Sequence, residues 1–212
     1  MIPGELLRWW PLAAAALAAA LSLIVASHPG PFPGEVWVVD QSQRLPEPVP
    51  STADFVRRTT GTLAAMIAMA PIAAWIAWRH RLAGALVIAV AILTMYAIQP
   101  GLKNVVDRPR PTNADVEVRA EWTSESFPSG HSLGTTAVWG FAAALALRRR
   151  RRDLAVVLAL PIALTFASSS IQGVHWPSDA LGGTLIGAVA ARAMLRTYDF
   201  SRGRRRNVKS AG

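Results

Sequence analysis

The chain has 212 residues, of which 52% are hydrophobic, and its 22 Lys and Arg against 13 Asp and Glu give a formal net charge of +9. It has no cysteine, which excludes a disulfide framework, an iron–sulfur cluster and a zinc site with cysteine ligands. The apolar content argues against a simple basic nucleic-acid-binding module, and apolar blocks separated by arginine clusters indicate a membrane protein instead.

Six apolar blocks follow one another, each with about the length that a helix needs to cross the hydrocarbon core of a membrane. Five contain no charged residue, and the sixth has one arginine near its end, where the side chain can reach the membrane surface. The blocks are Trp9–Ser27, Gly61–Trp78, Leu82–Pro100, Ser132–Leu147, Leu154–Ser170 and Ala180–Leu195. The pattern predicts an all-α fold, a bundle of six transmembrane helices.

The blocks and the polar stretches between them divide the chain into three parts. Residues 1–60 hold the first transmembrane helix and a Pro-rich outer loop, residues 61–195 the core helices, and residues 196–212 a basic cytoplasmic tail that we expect to be disordered. The alternative for the first block is a cleaved signal peptide, with Arg8 before the apolar core and Val25-Ala26-Ser27 as a cleavage site.

The arginines predict the orientation of the bundle. A run of five, Arg148–Arg152, separates the fourth and fifth blocks, and six more basic residues follow the sixth block. All of them are cytoplasmic if the chain spans six times with both ends inside. We therefore expect a multi-pass protein of a bacterial cell membrane, with a site facing the extracytoplasmic side.

Three polar clusters lie at the outer ends of the blocks in this topology. They run from Lys103 to Pro111, from Ser126 to Ser132 and from Ser168 to Asp179. They are distant in the sequence, yet the six spans bring them to one face. That convergence is what a composite active site at a membrane surface requires.

The first two clusters are suited to binding an anion. Lys103 and Arg110 supply positive charge, and the guanidinium fork fits phosphate oxygens. Ser129 and Gly130 offer a hydroxyl and backbone N–H groups at a helix start, next to the His131 imidazole. We interpret Asp107 and Arg108, by contrast, as ordinary loop polarity.

The third cluster adds a nucleophile. His175 and Asp179 are four residues apart, so the carboxylate can accept a hydrogen bond from one ring nitrogen and leave the other free. Two histidines and several cations on one face indicate phosphoryl transfer through a covalent phosphohistidine.

The three clusters resemble the signature of the type 2 phosphatidic acid phosphatase superfamily, which includes membrane lipid phosphatases and vanadium haloperoxidases. Its motifs are Lys, six residues, Arg-Pro; then Pro-Ser-Gly-His; then Ser-Arg, five residues, His, three residues, Asp. Lys103 to Arg110-Pro111 fits the first motif, Pro128 to His131 the second, and Gly173 to Asp179 the end of the third. The resemblance covers about Gly61 to Leu195.

The resemblance implies a lipid phosphatase that uses neither a metal nor a cofactor. In the mechanism that the resemblance implies, His175 attacks phosphorus and Asp179 orients His175. His131 protonates the leaving group and then activates water. The phosphate oxygens are held by the residues at the positions of Lys103, Arg110, Ser129, Gly130 and Ser169. Undecaprenyl diphosphate, phosphatidylglycerol phosphate and phosphatidic acid all fit as substrates. The expected partners are this lipid phosphate and membrane lipids, without nucleic acid, and the oligomeric state is left open.

One position departs from the family pattern. Ser169 stands where the family has an arginine, six residues before the nucleophilic histidine, so one charge-assisted contact to phosphate is missing. Gln172 and Arg108 are the candidates to replace it, and Ser169→Arg is expected to raise activity. Because of this departure, one alternative to a phosphatase is a catalytically weakened relative that binds anionic lipid. The other alternative is a lipid phosphotransferase. A channel or carrier would need more polar residues inside the spans.

Overall fold

The computed structural model describes residues 6–79, 81–120 and 122–210. Within these residues the fold is entirely helical and contains no strand, which confirms the predicted all-α class. The helices are α1 (Leu6–Ser27), α2 (Glu35–Gln43), α3 (Val49–Thr60), α4 (Thr62–Arg79), α5 (Arg81–Leu93), a π-helical turn (Thr94–Ile98), α6 (Gln99–Val106), α7 (Gly130–Arg148), α8 (Arg152–Ile171) and α9 (Pro177–Ser210).

The long helices coincide with the six predicted apolar blocks. Among the described residues, three segments are long and apolar enough to cross a membrane: Trp9–Ser27, Ala83–Val106 and Arg152–Ile171. The pair Val49–Thr60 and Leu63–Arg79, bent by 58°, counts as a fourth if it forms one broken span. The chain is therefore a membrane protein, while the number of six crossings stays a prediction.

Helix α7 lies at the centre of the bundle, where it packs against α4, α8 and α9. Large apolar side chains from four of the helices are fully or almost fully buried around it, namely Met69, Ile76, Val87, Leu133, Phe141 and Met194. Outward-facing apolar side chains such as Leu23, Trp78 and Val156 are exposed. An exposed apolar surface of this extent is what contact with lipid tails requires.

A close approach of α7 and α9 brings the second and third polar clusters together. A Cβ at Gly183 of α9 would collide with the carbonyl oxygen of Ser129, just before α7, so only glycine allows this packing. The Ser129 N–H also donates to the Asp179 carbonyl at 3.0 Å. The start of α7 and the first turn of α9 are thereby fixed side by side.

The outer loop after α1 and the tail after the sixth block differ from the sequence expectations. Helices α2 and α3 fold over the end of the bundle that is predicted to face outward, which we call the outer end, and pack against α8. The Pro-rich segment is therefore largely helical rather than only a loop. At the other end α9 continues to Ser210, so the expected disorder of the tail is wrong up to that residue.

The predicted orientation is tested by cysteine labelling, because the chain has no cysteine of its own. Asn113 lies in an exposed loop at the end of the bundle that is predicted to face outward, and Arg152 lies at the exposed start of α8. Each is replaced by cysteine in a separate variant. We expect a membrane-impermeant thiol reagent to label Asn113→Cys in intact cells and Arg152→Cys only after permeabilisation. Labelling of Arg152→Cys alone in intact cells would reverse the assignment of the two sides.

Candidate active site

A small cavity of about 140 Å³ lies at the outer end of the bundle. Residues from α3, α6, α7 and the loops before α7 and α9 line it: Arg57, Gln99, Lys103, Arg110, Trp122, Ser124, Gly130, His131 and His175. Five of the predicted site residues therefore meet in one cavity. None of the described residues that line it is acidic.

His175 is buried and presents one ring nitrogen to the cavity cations. Its Nε2 lies 3.3 Å from Nη1 of Arg110, and because a guanidinium only donates, Nε2 must be the unprotonated nitrogen. Its Nδ1 lies 3.3 Å from Ser126 Oγ and 3.7 Å from Asp179 Oδ2. These contacts favour the tautomer with the proton on Nδ1, so Nε2 is unprotonated and its lone pair faces the cavity, where a phosphate that draws Arg110 away can meet it as a nucleophile.

Asp179 lies behind His175 rather than in the cavity. Its Oδ2 accepts hydrogen bonds from Ser126 Oγ at 2.5 Å and from the Trp176 N–H at 2.8 Å. Asp179 therefore reaches His175 chiefly through the Ser126 hydroxyl. Burial raises the pKa of Asp179 above its ordinary value, while the charge of Arg108 and these hydrogen bonds act in the opposite direction.

Arg108 is fully buried and pairs with two carboxylates. Its Nη1 lies 2.6 Å from Asp179 Oδ1, and its Nη2 lies 2.8 Å from Glu35 Oε2. The same guanidinium donates to the backbone carbonyls of Pro29 and Gly30. Our interpretation of Arg108 as loop polarity is therefore wrong, because it holds the outer loop to α9.

His131 opens α7, just before the fourth apolar block, and faces the cavity. Burial, followed by the charge of Arg57, lowers the pKa of His131 to about 3, and Arg110 and Lys103 act in the same direction. A hydrogen bond with the Arg57 backbone opposes this shift. Burial and the charge of Arg110 likewise hold the pKa of His175 well below its ordinary value. Both rings are thus neutral at neutral pH.

The two predicted cations converge on the cavity from different elements. Lys103 projects from α6, and its Nζ donates to the carbonyl of Glu125. Arg110 donates to the carbonyls of Ser124 at 2.6 Å and Val174 at 2.7 Å. Burial lowers the pKa of Arg110 to about 10, so the side chain remains a cation at neutral pH.

Two predicted phosphate-binding residues do not line the cavity. Ser129 is buried, and its Oγ accepts from the Ser132 N–H at 3.5 Å as the N-cap of α7. Ser169 is buried in α8, and its Oγ donates to the Thr165 carbonyl at 3.1 Å. Ser129 can therefore act on a ligand only by orienting the neighbouring Gly130 N–H.

Sequence reasoning did not single out Ser126, Glu35 or Arg57 as site residues. Ser126 stands in the second cluster, but nothing in its spacing marks it as the link between His175 and Asp179. Glu35 lies 73 residues before Arg108, with which it pairs, and Arg57 lies 46 residues before Lys103, with which it lines the cavity. Only the folded chain brings them to the site.

The fold and the site define a helical membrane protein with a histidine- and cation-lined cavity at one end. The model of the PAP2 superfamily matches residues 82–202, more than half of the chain. The chain therefore belongs to the PAP2 superfamily, which confirms the resemblance drawn from its three motifs.

Two further comparisons agree with this membership. The chain is 38% identical over 104 residues to decaprenylphosphoryl-5-phosphoribose phosphatase of Mycobacterium tuberculosis, in strains CDC 1551 / Oshkosh and ATCC 25618 / H37Rv. That alignment covers 49% of this chain and 55% of the relative, so the chain spans about half the length of the curated relatives it matches.

A solved structure shares the fold along almost the whole chain. It is the transmembrane PAP2-type phosphatidylglycerolphosphate phosphatase from Bacillus subtilis, which matches with a TM-score of 0.73 at 18% sequence identity. The match covers 94% of this chain and 98% of that one.

Glu35→Gln is expected to destabilise the protein, because Arg108 then keeps one buried carboxylate instead of two. Removing one partner of a buried ion pair costs about 3–5 kcal/mol in soluble proteins, whereas an exposed pair contributes about 0–1 kcal/mol. The measurement is the melting temperature in detergent, which should fall in this variant.

The matched control is Asp54→Asn, which removes an exposed pair with Arg58 on α3. Its melting temperature should equal that of the wild type. Equal melting temperatures for both variants and the wild type would show that Glu35 does not hold the outer end together.

Proposed function

We propose that the protein is a phosphatase that removes a phosphoryl group from a lipid-linked substrate through a phosphohistidine on His175. The observation that carries the proposal is the convergence of two cations, the start of α7 and the free Nε2 of His175 on one small cavity. Membership in the PAP2 superfamily supports it independently.

In the first step, the Nε2 lone pair of His175 attacks phosphorus, and the bond from phosphorus to the leaving oxygen breaks. Lys103, Arg110 and the Gly130 N–H bind the oxygens that carry charge in the transition state. The His175 ring becomes positively charged in this step. Asp179, acting through Ser126, stabilises that charge and holds the ring in place.

His131 supplies and then removes the proton. A phosphate dianion in the cavity offsets the cations that lower the pKa of His131, so substrate binding favours its protonated form. His131 then gives its proton to the leaving alkoxide. In the second step it takes a proton from water, whose oxygen attacks phosphorus and breaks the P–N bond, releasing inorganic phosphate and restoring His175.

The neighbouring surface suggests the substrate class. A second cavity of about 620 Å³ shares Arg110 and Trp122 with the first and is also lined by Thr112, Asn113 and Thr123. Hydroxyl and amide groups next to an indole ring are suited to a sugar. The similarity to a decaprenylphosphoryl-5-phosphoribose phosphatase supports the same choice. We therefore propose a phosphorylated sugar on a polyprenyl phosphate, presented from the outer leaflet, as the substrate.

The purified protein in detergent should release inorganic phosphate from such a polyprenyl-linked sugar phosphate in the presence of EDTA. It should do so faster than from phosphatidic acid, phosphatidylglycerol phosphate or undecaprenyl diphosphate, and vanadate, which mimics five-coordinate phosphorus, should inhibit. His175→Ala should lower turnover by about 10⁴-fold or more, since it removes the nucleophile.

His28→Ala is the control, because His28 is an exposed histidine outside the cavity, and its turnover should match that of the wild type. Turnover that returned only on adding magnesium or zinc would contradict the metal-independent mechanism. Full activity of His175→Ala would eliminate the assigned nucleophile. Transfer of the phosphoryl group to an alcohol acceptor but not to water would identify a phosphotransferase instead.

A further inference from the structure

Arg57 of α3 is a buried cation whose charge no carboxylate balances among the described residues that line the cavity. Its side chain is only 6% exposed, and neither Nη1 nor Nη2 has a hydrogen-bond partner among the described residues. Burying a charged group without compensation is strongly unfavourable. An unpaired guanidinium on the wall of a cavity therefore points to an anionic ligand that binds there.

Arg108 shows what a structural arginine looks like in the same protein. It is also buried, with no exposed surface, but its guanidinium binds Asp179, Glu35 and backbone carbonyls. Arg57 makes no such bonds and instead lines the cavity beside Lys103. The contrast indicates that Arg57 is kept for a ligand rather than for folding.

Arg57 is placed where it can replace the arginine that the family has at the position of Ser169. Helix α3 packs against α8, and Gln172 Nε2 donates to the Pro50 carbonyl at 3.3 Å, which ties the two helices together. A guanidinium missing from α8 can therefore be supplied from α3. Neither candidate expected from the sequence fits, because Arg108 is held by its carboxylates and Gln172 by Pro50.

Trp122 holds the cationic wall in place. Its ring centroid lies 5.6 Å from the guanidinium carbon of Arg57 and 5.6 Å from that of Arg110. Cation–π contact stabilises both charges and keeps two like-charged groups on one side of the cavity. The same ring lies nearly perpendicular to the His131 ring, at an interplanar angle of 85° and with 5.6 Å between centroids.

We propose that Arg57 binds the phosphoryl group in the catalytic site and replaces the family arginine that is missing at Ser169. Its Nη1 and Nη2 donate to two phosphate oxygens, while Lys103 and Arg110 bind from the α6 side. This inference rests on the proposed function, since it assigns a further ligand of the same phosphoryl group. It also makes the site complete in cations despite Ser169.

The test compares Arg57→Gln with Arg58→Gln, its exposed neighbour on α3. We expect Arg57→Gln to weaken vanadate binding, measured by calorimetry, by about 10- to 100-fold and to lower kcat/KM by about 10²- to 10³-fold. Arg57→Lys, which keeps the charge but loses the fork, should fall between Arg57→Gln and the wild type. Arg58→Gln should match the wild type in both measurements.

A reciprocal variant tests the exchange of positions. In the Arg57→Gln background, Ser169→Arg should raise the vanadate affinity at least 10-fold. In the wild-type background it should give no gain, in contrast to the rise in activity that the sequence alone predicts for Ser169→Arg. An equal gain in both backgrounds would show that the two positions are independent and would overturn the replacement.

The outcomes separate this inference from the proposed function, because vanadate binding needs no turnover. If vanadate binding depends on Arg57 but no lipid substrate releases phosphate, the role of Arg57 in anion binding stands and the proposed phosphatase activity is wrong. If Arg57→Gln binds vanadate and turns over substrate as the wild type does, the role of Arg57 is wrong and the proposed phosphatase activity stands. If Arg57→Gln does not fold, wild-type affinity in a folded Arg57→Lys overturns the inference and a loss supports it. A wild type that binds no vanadate also overturns it.

Discussion

The outer end of the bundle depends on one buried guanidinium. Arg108 binds Glu35 from α2 and Asp179 from α9, and no member of this triad is more than slightly exposed. Buried charges are tolerated only when they satisfy one another, so the triad fixes the outer loop against the first turn of α9. His175 precedes Asp179 by four residues, and its ring is therefore fixed as well.

A second constraint is the concentration of positive charge next to the histidines. Arg57, Lys103 and Arg110 share a cavity whose described lining includes no carboxylate, so they repel one another. Burial first, and these charges after it, lower the pKa of His131 and His175 and keep both imidazoles neutral. A phosphate dianion relieves this repulsion and makes protonation of His131 more favourable. In the proposed mechanism, the same charges select an anionic substrate and link its binding to the proton that the leaving group needs.

The sequence predicts the long helices and the residues at their outer ends, because hydrophobic blocks and motif spacing are local properties. It does not predict Glu35, Ser126 or Arg57, whose roles arise from contacts between distant elements. Arg57 and Arg58 are neighbours on a polar helix, and only the packing of α3 against α8 decides that the first points inward.

The number of membrane crossings is also hard to predict from local sequence properties. Helices α7 and α9 have the length of a span, yet they are absent from the segments that qualify by apolarity. Helix α7 carries polar residues on surfaces that other helices cover, including buried Ser132, Thr135 and Thr136. A central helix needs less apolar surface than one that faces lipid, so composition alone does not decide whether such a helix crosses the membrane.

In the proposed site, three cations and His175 Nε2 surround a single phosphoryl group. An experimental structure of the full chain with vanadate tests this arrangement. We expect vanadium bonded to His175 Nε2, with its oxygens in contact with Lys103, Arg110 and Arg57. Vanadate bound away from His175, or bound there with the Arg57 guanidinium turned out of the cavity, would rule out the proposed site.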